Sequence, residues 1–223
     1  MSLRNWPFPC LIPGTARVLY ADPPWKFKHH SRRGEGPAAA RPYPCMGMDD
    51  LKALPVGDLA APDCALFLWV VKTMLPEALD LIRAWGFTYK TVAFTWVKTR
   101  PSGREFMGPG FWTRGNPEQV WLATRGHPRR QSCGVRELLE DPCDWFEDGP
   151  DAIYAHAREH SRKPDEVRDR IAQLVAPGPP GRDAMVELFA RTAAPGWSAW
   201  GNQTSLFVPT ANQREPQWPM TTE

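Results

Sequence analysis

The hydrophobic positions fall into short runs with either strand-like or helix-like spacing. Residues 17–21 (RVLYA) form an apolar run that Asp22-Pro23-Pro24 must end, which predicts a strand feeding a loop. Residues 65–71 are continuously apolar, as in a strand buried on both faces. Residues 74–85 place apolar side chains at helical spacing and end at Gly86, which predicts a helix. Further strands are predicted at residues 88–98, 118–124, 185–190 and 197–200, one or two helical turns at 49–54, and a helix at 164–175.

This alternation of strands with helices and long loops predicts an α/β fold around a mostly parallel sheet. In such sheets, ligands bind beyond the carboxyl ends of the strands. We therefore expect Asp22 and the loops after residues 71, 98 and 190 to lie along one edge of the sheet.

Length, charge and cysteine usage narrow the class of protein. A chain of 223 residues can bury a sizeable core, and a net charge of +2 neither requires nor excludes a polyanionic partner. The five cysteines are widely spaced and form no Cys-x-x-Cys pair, which fits a reducing compartment. The longest apolar run has seven residues and the first 13 residues lack a signal-peptide core. These features predict a cytoplasmic protein without a membrane partner.

The charged segments suggest how the domain is organised. We expect a single domain over residues 1–207 and a flexible tail over 208–223. Residues 26–45, rich in Gly, Pro and basic side chains, predict a mobile loop on the catalytic side. Residues 137–151 hold seven acids and no Lys or Arg, so residues 137–155 are interpreted as an acidic surface insertion.

The tetrapeptide Asp22-Pro23-Pro24-Trp25 carries the sharpest chemical signal. An exocyclic amino group on adenine is a poor nucleophile because its lone pair is delocalised into the ring. A carboxylate and a rigid backbone carbonyl can each accept one of its N–H hydrogens and stabilise the positive charge that develops during methylation. The alternative interpretation is a proline turn that closes a strand, with Trp25 packed in the core. The residues alone leave both interpretations open.

Five further blocks share the order of a known family with this tetrapeptide. They are LFLWV (66–70), WVK (96–98), HSRKPDEV (160–167), VELFAR (186–191) and PGWSAWGNQ (195–203). Together they resemble the S-adenosylmethionine-dependent adenine N(6)-methyltransferases of the family named after the seventy-kilodalton subunit of the mRNA adenosine methyltransferase. The run Gly115 to Glu118 is more similar to the bacterial and phage DNA-type branch. The resemblance covers roughly residues 19–203.

The resemblance implies a Rossmann-like methyltransferase fold with helices on both faces of the sheet and a circularly permuted motif order. It also implies S-adenosylmethionine as the cofactor. Pro117 stands near a position where the family's eukaryotic catalytic subunit uses a Lys on the cofactor carboxylate, so the candidates for that contact are the backbone and Asn116. Residues 193 and 194 are alanines where that subunit has polar side chains. The resemblance assigns catalysis to Asp22, Pro23, Pro24 and Trp25, and cofactor binding to Asp22, Asn116, Glu187, Phe189, Arg191, Asn202 and Gln203.

Two basic stretches are candidates for phosphate contact. Residues 26–41 hold five Lys or Arg against one acid and follow the tetrapeptide directly. A solvated loop is the alternative interpretation of this stretch. A second patch follows the strand predicted at 118–124. The predicted nucleic-acid-binding residues are Lys26, Lys28, Arg32, Arg33, Arg41, Arg129 and Arg130.

The function expected from these observations is methyl transfer to the amino group of adenine in DNA, with the base flipped or single-stranded. An RNA adenosine methyltransferase is one alternative, and the absence of an added RNA-binding module in the sequence argues weakly against it. A non-catalytic subunit of a heterodimer is another, although such subunits tend to lose the tetrapeptide or the ribose-binding residues. A homodimer is left open. No metal is expected, because His156 and His160 have zinc-like spacing but no third ligand.

Overall fold

Seven strands form one sheet in the order β5-β3-β4-β2-β1-β6-β7. The structure is a computed structural model that describes residues 6–26, 45–99, 104, 107–108, 112–142, 163–175 and 184–202. The strands are β1 (Ala16–Ala21), β2 (Ala60–Val70), β3 (Thr88–Thr99), β4 (Glu118–Arg125), β5 (Leu138–Pro142), β6 (Met185–Leu188) and β7 (Ser198–Trp200).

The sheet is mostly parallel, as predicted. Among the seven strands, β4 alone runs antiparallel to its neighbours β2 and β3, while the pairs β1–β2, β1–β6, β3–β5 and β6–β7 are parallel. One edge of the sheet therefore carries the carboxyl ends of β1, β2, β3 and β6 together with the start of β4. We call it the carboxyl edge, and the opposite one the amino edge.

Helices cover both faces of the sheet. They are α1 (Met48–Ala53), α2 (Val56–Leu59), α3 (Leu75–Ala84) and α4 (Glu166–Leu174). On one face, α1 and α3 bury Leu51, Leu81 and Ile82 against alternate residues of the central strands. On the other face, α4 buries Val167 and Ile171 against the residues in between. The period-two alternation of the strands thus builds two apolar cores.

The helices predicted from apolar spacing are present. Helix α3 begins at Leu75, after a short 3-10 turn over Lys72–Met74, and ends before Gly86. Gly86 has a φ of +80°, a left-handed conformation that favours glycine, so it ends the helix as predicted. The short helix α2 and the early start of β2 at Ala60 are not anticipated by the apolar pattern.

The structure differs from the prediction of an acidic insertion at its first residues. Leu138–Pro142 form β5, which pairs in parallel with the carboxyl-terminal half of β3. Leu139 is fully buried in the core of the α4 face. Residues 143–155 of the predicted insertion lie outside the described residues, as do most of the basic loop and the tail. Among the helices that the structure describes, none is long and apolar enough to cross a membrane.

Candidate active site

Asp22 follows β1 directly and lies at the carboxyl edge. Its Oδ2 is 3.6 Å from the Nζ atom of Lys163, and its side chain is 28% exposed. Burial raises the pKa of Asp22; Lys163 opposes this rise, the negative charge of Glu118 adds to it, and Arg191 opposes it. Asp22 is therefore a half-buried carboxylate whose charge is only partly compensated.

The backbone of the tetrapeptide is held in place by its own carbonyls. The Pro23 carbonyl accepts the N–H of Trp25 at 2.8 Å, and the Pro24 carbonyl accepts the N–H of Met46 at 2.9 Å. A carbonyl oxygen has two lone pairs, so Pro23 keeps one acceptor site for a further donor. Because Met46 also pairs with Trp25 in a short parallel bridge, the basic stretch leaves and rejoins the described chain beside the tetrapeptide.

Trp25 packs in the core instead of facing the open edge. It is 4% exposed, and its indole N–H donates to the carbonyl of Trp69 at 3.2 Å. A flipped base would find little of its ring to stack on. For Trp25, the structure shows the core packing that the sequence left open, and this side chain fixes the tetrapeptide against β2.

A chain of ion pairs connects Asp22 to the start of β4. Lys163, three residues before α4, contacts Asp22 and also donates to Glu118 Oε2 at 2.8 Å. Lys98 near the end of β3 donates to the other carboxylate oxygen of Glu118. Burial favours the neutral form of Glu118, but Lys163 and Lys98 outweigh it and lower its pKa from 4.5 to about 2. Glu118 is thus firmly ionised between two lysines.

Each of these lysines also lies over a buried tryptophan ring. The Nζ atom of Lys163 is 5.1 Å from the ring centroid of Trp69, and that of Lys98 is 5.0 Å from the ring centroid of Trp96. The indole N–H of Trp69 donates to the hydroxyl of Tyr20 at 2.6 Å, which orients the ring below Lys163. Cation–π attraction therefore helps to place both ammonium groups at the carboxyl edge.

A second carboxylate, Glu187, lies on β6 next to β1. Arg168 of α4 donates to both of its oxygens, at 2.7 Å and 3.0 Å. Burial raises the pKa of Glu187, and the two hydrogen bonds from Arg168 oppose that rise. The Arg168 side chain is oriented in turn by Asp165 and by the Thr192 hydroxyl. Glu187 is therefore held in one orientation by a bidentate pair.

The turns after β6 and β7 bring Phe189, Arg191 and Asn202, three of the predicted cofactor residues, to the same edge. Phe189 has a φ of +62°, which is strained for a bulky residue, and its ring packs against Trp200 with centroids 5.4 Å apart. A Cβ atom at Gly201 would lie 2.1 Å from the carbonyl oxygen of Ala190. Only glycine permits this close approach, which carries the chain on to exposed Asn202 beside the end of β6.

Asn116 makes a two-way contact with β3. Its Oδ1 accepts the backbone N–H of Lys98 at 2.7 Å, and its Nδ2 donates to the Lys98 carbonyl at 3.0 Å. The amide therefore fixes the position of Lys98 next to Glu118. A contact with the cofactor carboxylate would have to use the second amide hydrogen of Asn116.

Comparison with known proteins identifies the family of this chain. The sequence model of the MT-A70 family matches residues 16–203, which span β1 to the turn after β7. The chain belongs to the MT-A70 family of methyltransferases. It is 31% identical to the Type II methyltransferase M.MunI of Mycoplasma sp, over 92% of this chain and 86% of that protein.

Two eukaryotic relatives match over a smaller part of their own length. The chain is 30% identical to the N(6)-adenosine-methyltransferase MT-A70-like protein of Arabidopsis thaliana, over 86% of this chain and 24% of that protein. It is 29% identical to the human N(6)-adenosine-methyltransferase catalytic subunit METTL3, over 86% of this chain and 29% of that subunit. The chain thus spans about a quarter of these two MT-A70 proteins.

The predicted nucleic-acid-binding residues of this MT-A70 domain are not brought to one place. Lys26 is exposed beside the tetrapeptide. Arg129 and Arg130 follow β4, whose end lies at the amino edge, and Arg130 pairs with Val175 after α4. The structure therefore separates this second basic patch from Asp22. Outside the described residues lie Lys28, Arg32, Arg33, Arg41 and Gln203, together with His156 and His160.

Four charged residues of the site have no role in the sequence-based prediction. Lys98 and Lys163 lie inside the blocks WVK and HSRKPDEV, so the resemblance already marks their neighbourhood. Glu118 ends the run Gly115 to Glu118 that the resemblance also marks, whereas Arg168 becomes recognisable only when the fold places it against Glu187. In the part of the chain that the structure describes, no three His, Cys, Asp or Glu side chains are grouped to hold a metal ion.

Proposed function

We propose that this MT-A70 methyltransferase transfers a methyl group from S-adenosylmethionine to the exocyclic amino group of adenine in DNA. The observation that carries the proposal is the partly compensated carboxylate of Asp22, which stands at the carboxyl edge beside the Pro23 carbonyl. On the next strand, Glu187 and the residues around it form a separate group of donors and acceptors. One group suits the target amino group and the other suits the methyl donor.

The chemistry of the donor set fits S-adenosylmethionine. This cofactor supplies an electrophilic methyl group on a sulfonium and carries a ribose diol, an amino group and a carboxylate. Glu187 and Asn202 would accept and donate hydrogen bonds to the diol at the ends of adjacent strands β6 and β7. Asp22 would lie near the cationic methionine end, and Lys163 or Arg191 would attract the carboxylate.

The chain's own residues would activate the amino group by accepting its hydrogens. Asp22 would accept one N–H and the free lone pair of the Pro23 carbonyl would accept the other, so the nitrogen moves towards tetrahedral geometry. Its lone pair would then face the electrophilic methyl group that S-adenosylmethionine would supply when held by Glu187, Asn202 and Lys163 or Arg191. The raised pKa of Asp22 makes it a better acceptor for the departing proton than an ordinary aspartate.

The choice of DNA rests on the relatives. The match to the Type II methyltransferase M.MunI spans most of both chains. RNA is the second candidate substrate, because two of the relatives are named for adenosine, the ribonucleoside. Radiolabelled methyl transfer to DNA and RNA of matched sequence, followed by nucleoside analysis, tests both. N(6)-methyladenine in DNA is the expected product, and label in RNA alone would assign the second candidate.

The basic stretch beside the tetrapeptide would contact phosphates. We propose this role for Lys26, Lys28, Arg32, Arg33 and Arg41, since the stretch begins and ends next to Pro24 and Trp25. Neutralising Arg32 and Arg33 together should flatten the salt dependence of DNA binding by up to about two units of slope.

Arg129 and Arg130 supply a matched control for that experiment. Neutralising these two removes the same charge at the amino edge, so it should change the slope less than neutralising Arg32 and Arg33. An equal or larger change would place DNA on the amino edge. An unchanged slope in the Arg32 and Arg33 variant would show that these arginines do not contact phosphates.

A further inference from the structure

The segment between β3 and β4 exposes a tryptophan, whereas the other tryptophans that the structure describes are buried or half-buried. Trp112 is 99% exposed, whereas Trp25, Trp69, Trp85 and Trp96 are each at most 4% exposed. Met107 in the same segment is 61% exposed, and these two are the most exposed large hydrophobic side chains among the described residues. Two such side chains on one segment indicate a binding surface more strongly than a single exposed residue would.

Hydrogen bonds fix the base of this segment. Asn116 exchanges two hydrogen bonds with the backbone of Lys98. Further out, the backbones of Gly108 and Gly115 exchange two more, at 2.7 Å and 3.2 Å. Trp112 therefore lies in the chain between two residues whose backbones are bridged to each other. An aromatic ring has few rotatable bonds, so a ring held on such a base loses little conformational freedom when it binds.

The segment adjoins the proposed methyl-transfer site. Lys98 and Glu118 flank it, and Glu118 shares Lys163 with Asp22. Trp112 is six residues from Glu118, a length of chain that spans at most about 20 Å. That distance corresponds to about six base steps of 3.4 Å. A nucleic acid whose adenine reaches Asp22 would therefore pass within reach of Trp112.

The charge of the segment identifies the kind of partner. Residues 99–117 contain three arginines and one glutamate, and Arg104 and Arg114 are both exposed. Aromatic rings interleaved with cations are typical of surfaces that bind unpaired nucleotides, where the rings stack on bases and the cations contact phosphates.

We propose that Trp112 stacks on a nucleotide base within about six base steps of the target adenine, while Arg104 and Arg114 contact the adjoining phosphates. This proposal rests on the proposed function, because it requires nucleic acid at the carboxyl edge. Stacking would hold the nucleic acid at this edge while the target adenine leaves its own stack.

The test compares Trp112→Ala, Trp112→Phe and a matched control, Met107→Ala, on adenine-containing single-stranded and duplex DNA. Because Trp112 is almost fully exposed, its replacement should leave the fold intact. Stacking on one base contributes about 1–3 kcal/mol, so Trp112→Ala should weaken DNA binding by about 5- to 150-fold. Trp112→Phe should restore part of the affinity, and Met107→Ala should lose less than Trp112→Ala.

Three readouts separate stacking from other roles. Removal of an uncharged ring should leave the salt slope of binding unchanged, and S-adenosylmethionine affinity by calorimetry should be unchanged as well. DNA with 2-aminopurine placed in turn at each of about six positions on either side of the adenine should show, at one of them, a fluorescence change on binding that Trp112→Ala reduces. Wild-type DNA affinity in Trp112→Ala, or a change in its oligomeric state by light scattering, would overturn the proposal. If the wild type itself does not methylate nucleic acid, it is the proposed function that fails.

Discussion

Asp22 and Glu118 share Lys163, yet their pKa values shift in opposite directions. Glu118 receives Lys163 at 2.8 Å together with Lys98, and its pKa falls to about 2. Asp22 lies 3.6 Å from Lys163, and burial raises its pKa. Both carboxylates stand at the same edge of the sheet. Their pKa values differ because Glu118 contacts both Lys98 and Lys163, whereas Asp22 contacts Lys163 at a longer distance.

The unequal pairing with lysines gives the two carboxylates different roles at one edge of the sheet: Glu118 is structural and Asp22 is reactive. Glu118 takes the hydrogen bonds of two lysines and keeps them in place over Trp69 and Trp96. Asp22 is left with an acceptor oxygen that is poorly compensated and partly open to solvent. Buried charge that lacks a full partner is typical of functional sites. A donor such as an amino group would complete the coordination of Asp22.

The strongest test of this comparison is to remove the reactive carboxylate. Asp22→Ala should lower the methyl-transfer rate by 100- to 1000-fold, on the order of 3–4 kcal/mol, because one N–H of the target and the developing positive charge lose their partner. Asp22→Asn should lose less, since its amide oxygen still accepts a hydrogen bond. Single-turnover rates at saturating cofactor measure both. Asp22→Ala protein that is folded and methylates at the wild-type rate would exclude the mechanism.

A second test separates the two lysines. Lys163→Met removes the cation nearest to Asp22, so the pKa of Asp22 should rise further and the acid limb of the pH–rate profile should move to higher pH. Each pKa unit lowers the rate below that limb tenfold. Lys98→Met is the matched control, because Lys98 pairs with Glu118, whereas Lys163 pairs with both Glu118 and Asp22. An equal shift in both variants would show that Asp22 does not set the limb.

The same two variants should behave alike in stability. The pKa of Glu118 is about 2 in the folded protein against 4.5 for an ordinary glutamate. Its contribution to stability is therefore complete above pH 4.5 and is lost as the pH falls towards 2. Removing either lysine brings the folded-state pKa of Glu118 closer to 4.5, so the acid-induced fall in the thermal unfolding temperature that comes from Glu118 should be smaller, and should end at a higher pH, in both variants than in the wild type. A difference confined to one variant would mean that the lysines do not share Glu118 equally.

The sequence predicted the α/β fold and the placement of Asp22 at the carboxyl ends of the strands, because both follow from local patterns. The run before Asp22-Pro23 could only be a strand that ends there, and parallel strands place their carboxyl ends together. The sequence did not predict strand β5, because Leu138 and Leu139 lie in a segment with seven acidic residues. They form a strand by pairing with β3. Local composition does not show such long-range pairing.

The pairing of Lys98 and Lys163 with Glu118 could not be predicted from the sequence either, because it depends on contacts between residues that are far apart in the chain. Lys98, Glu118 and Lys163 lie on three separate elements, and only the register of β3 against β4 brings Glu118 opposite Trp96. Trp25 is a related case. Its position after two prolines fits either a stacking surface or a core residue, and the choice depends on Trp69, which is 44 residues away.

The next prediction concerns the carboxylate on the cofactor side of the edge. Arg168 donates to both oxygens of Glu187, so this carboxylate is more fully compensated than Asp22. Arg168→Gln removes two hydrogen bonds from a buried carboxylate, which should weaken cofactor binding by about tenfold or more. It should also raise the pKa of Glu187 further, so that affinity falls at a higher pH as the solution is acidified. Arg168→Lys should restore part of the affinity. Arg170→Gln is the control, since Arg170 lies on the same helix but pairs with Glu166; an equal loss there would indicate a general effect on α4.

The smallest expected effect concerns the amide beside Glu187. Asn202→Ala removes one donor and one acceptor for a ribose hydroxyl, a loss of about 1 kcal/mol or roughly fivefold in cofactor affinity. The fold should be retained, because Asn202 is exposed and the close contact with Ala190 is made by Gly201. Gln131→Ala, which removes an exposed amide at the amino edge, should leave the affinity unchanged. Calorimetric titration with S-adenosylmethionine measures both. Equal affinities for wild type and Asn202→Ala would remove this residue from the ribose site and leave Glu187, with Arg168, as the principal contact to test.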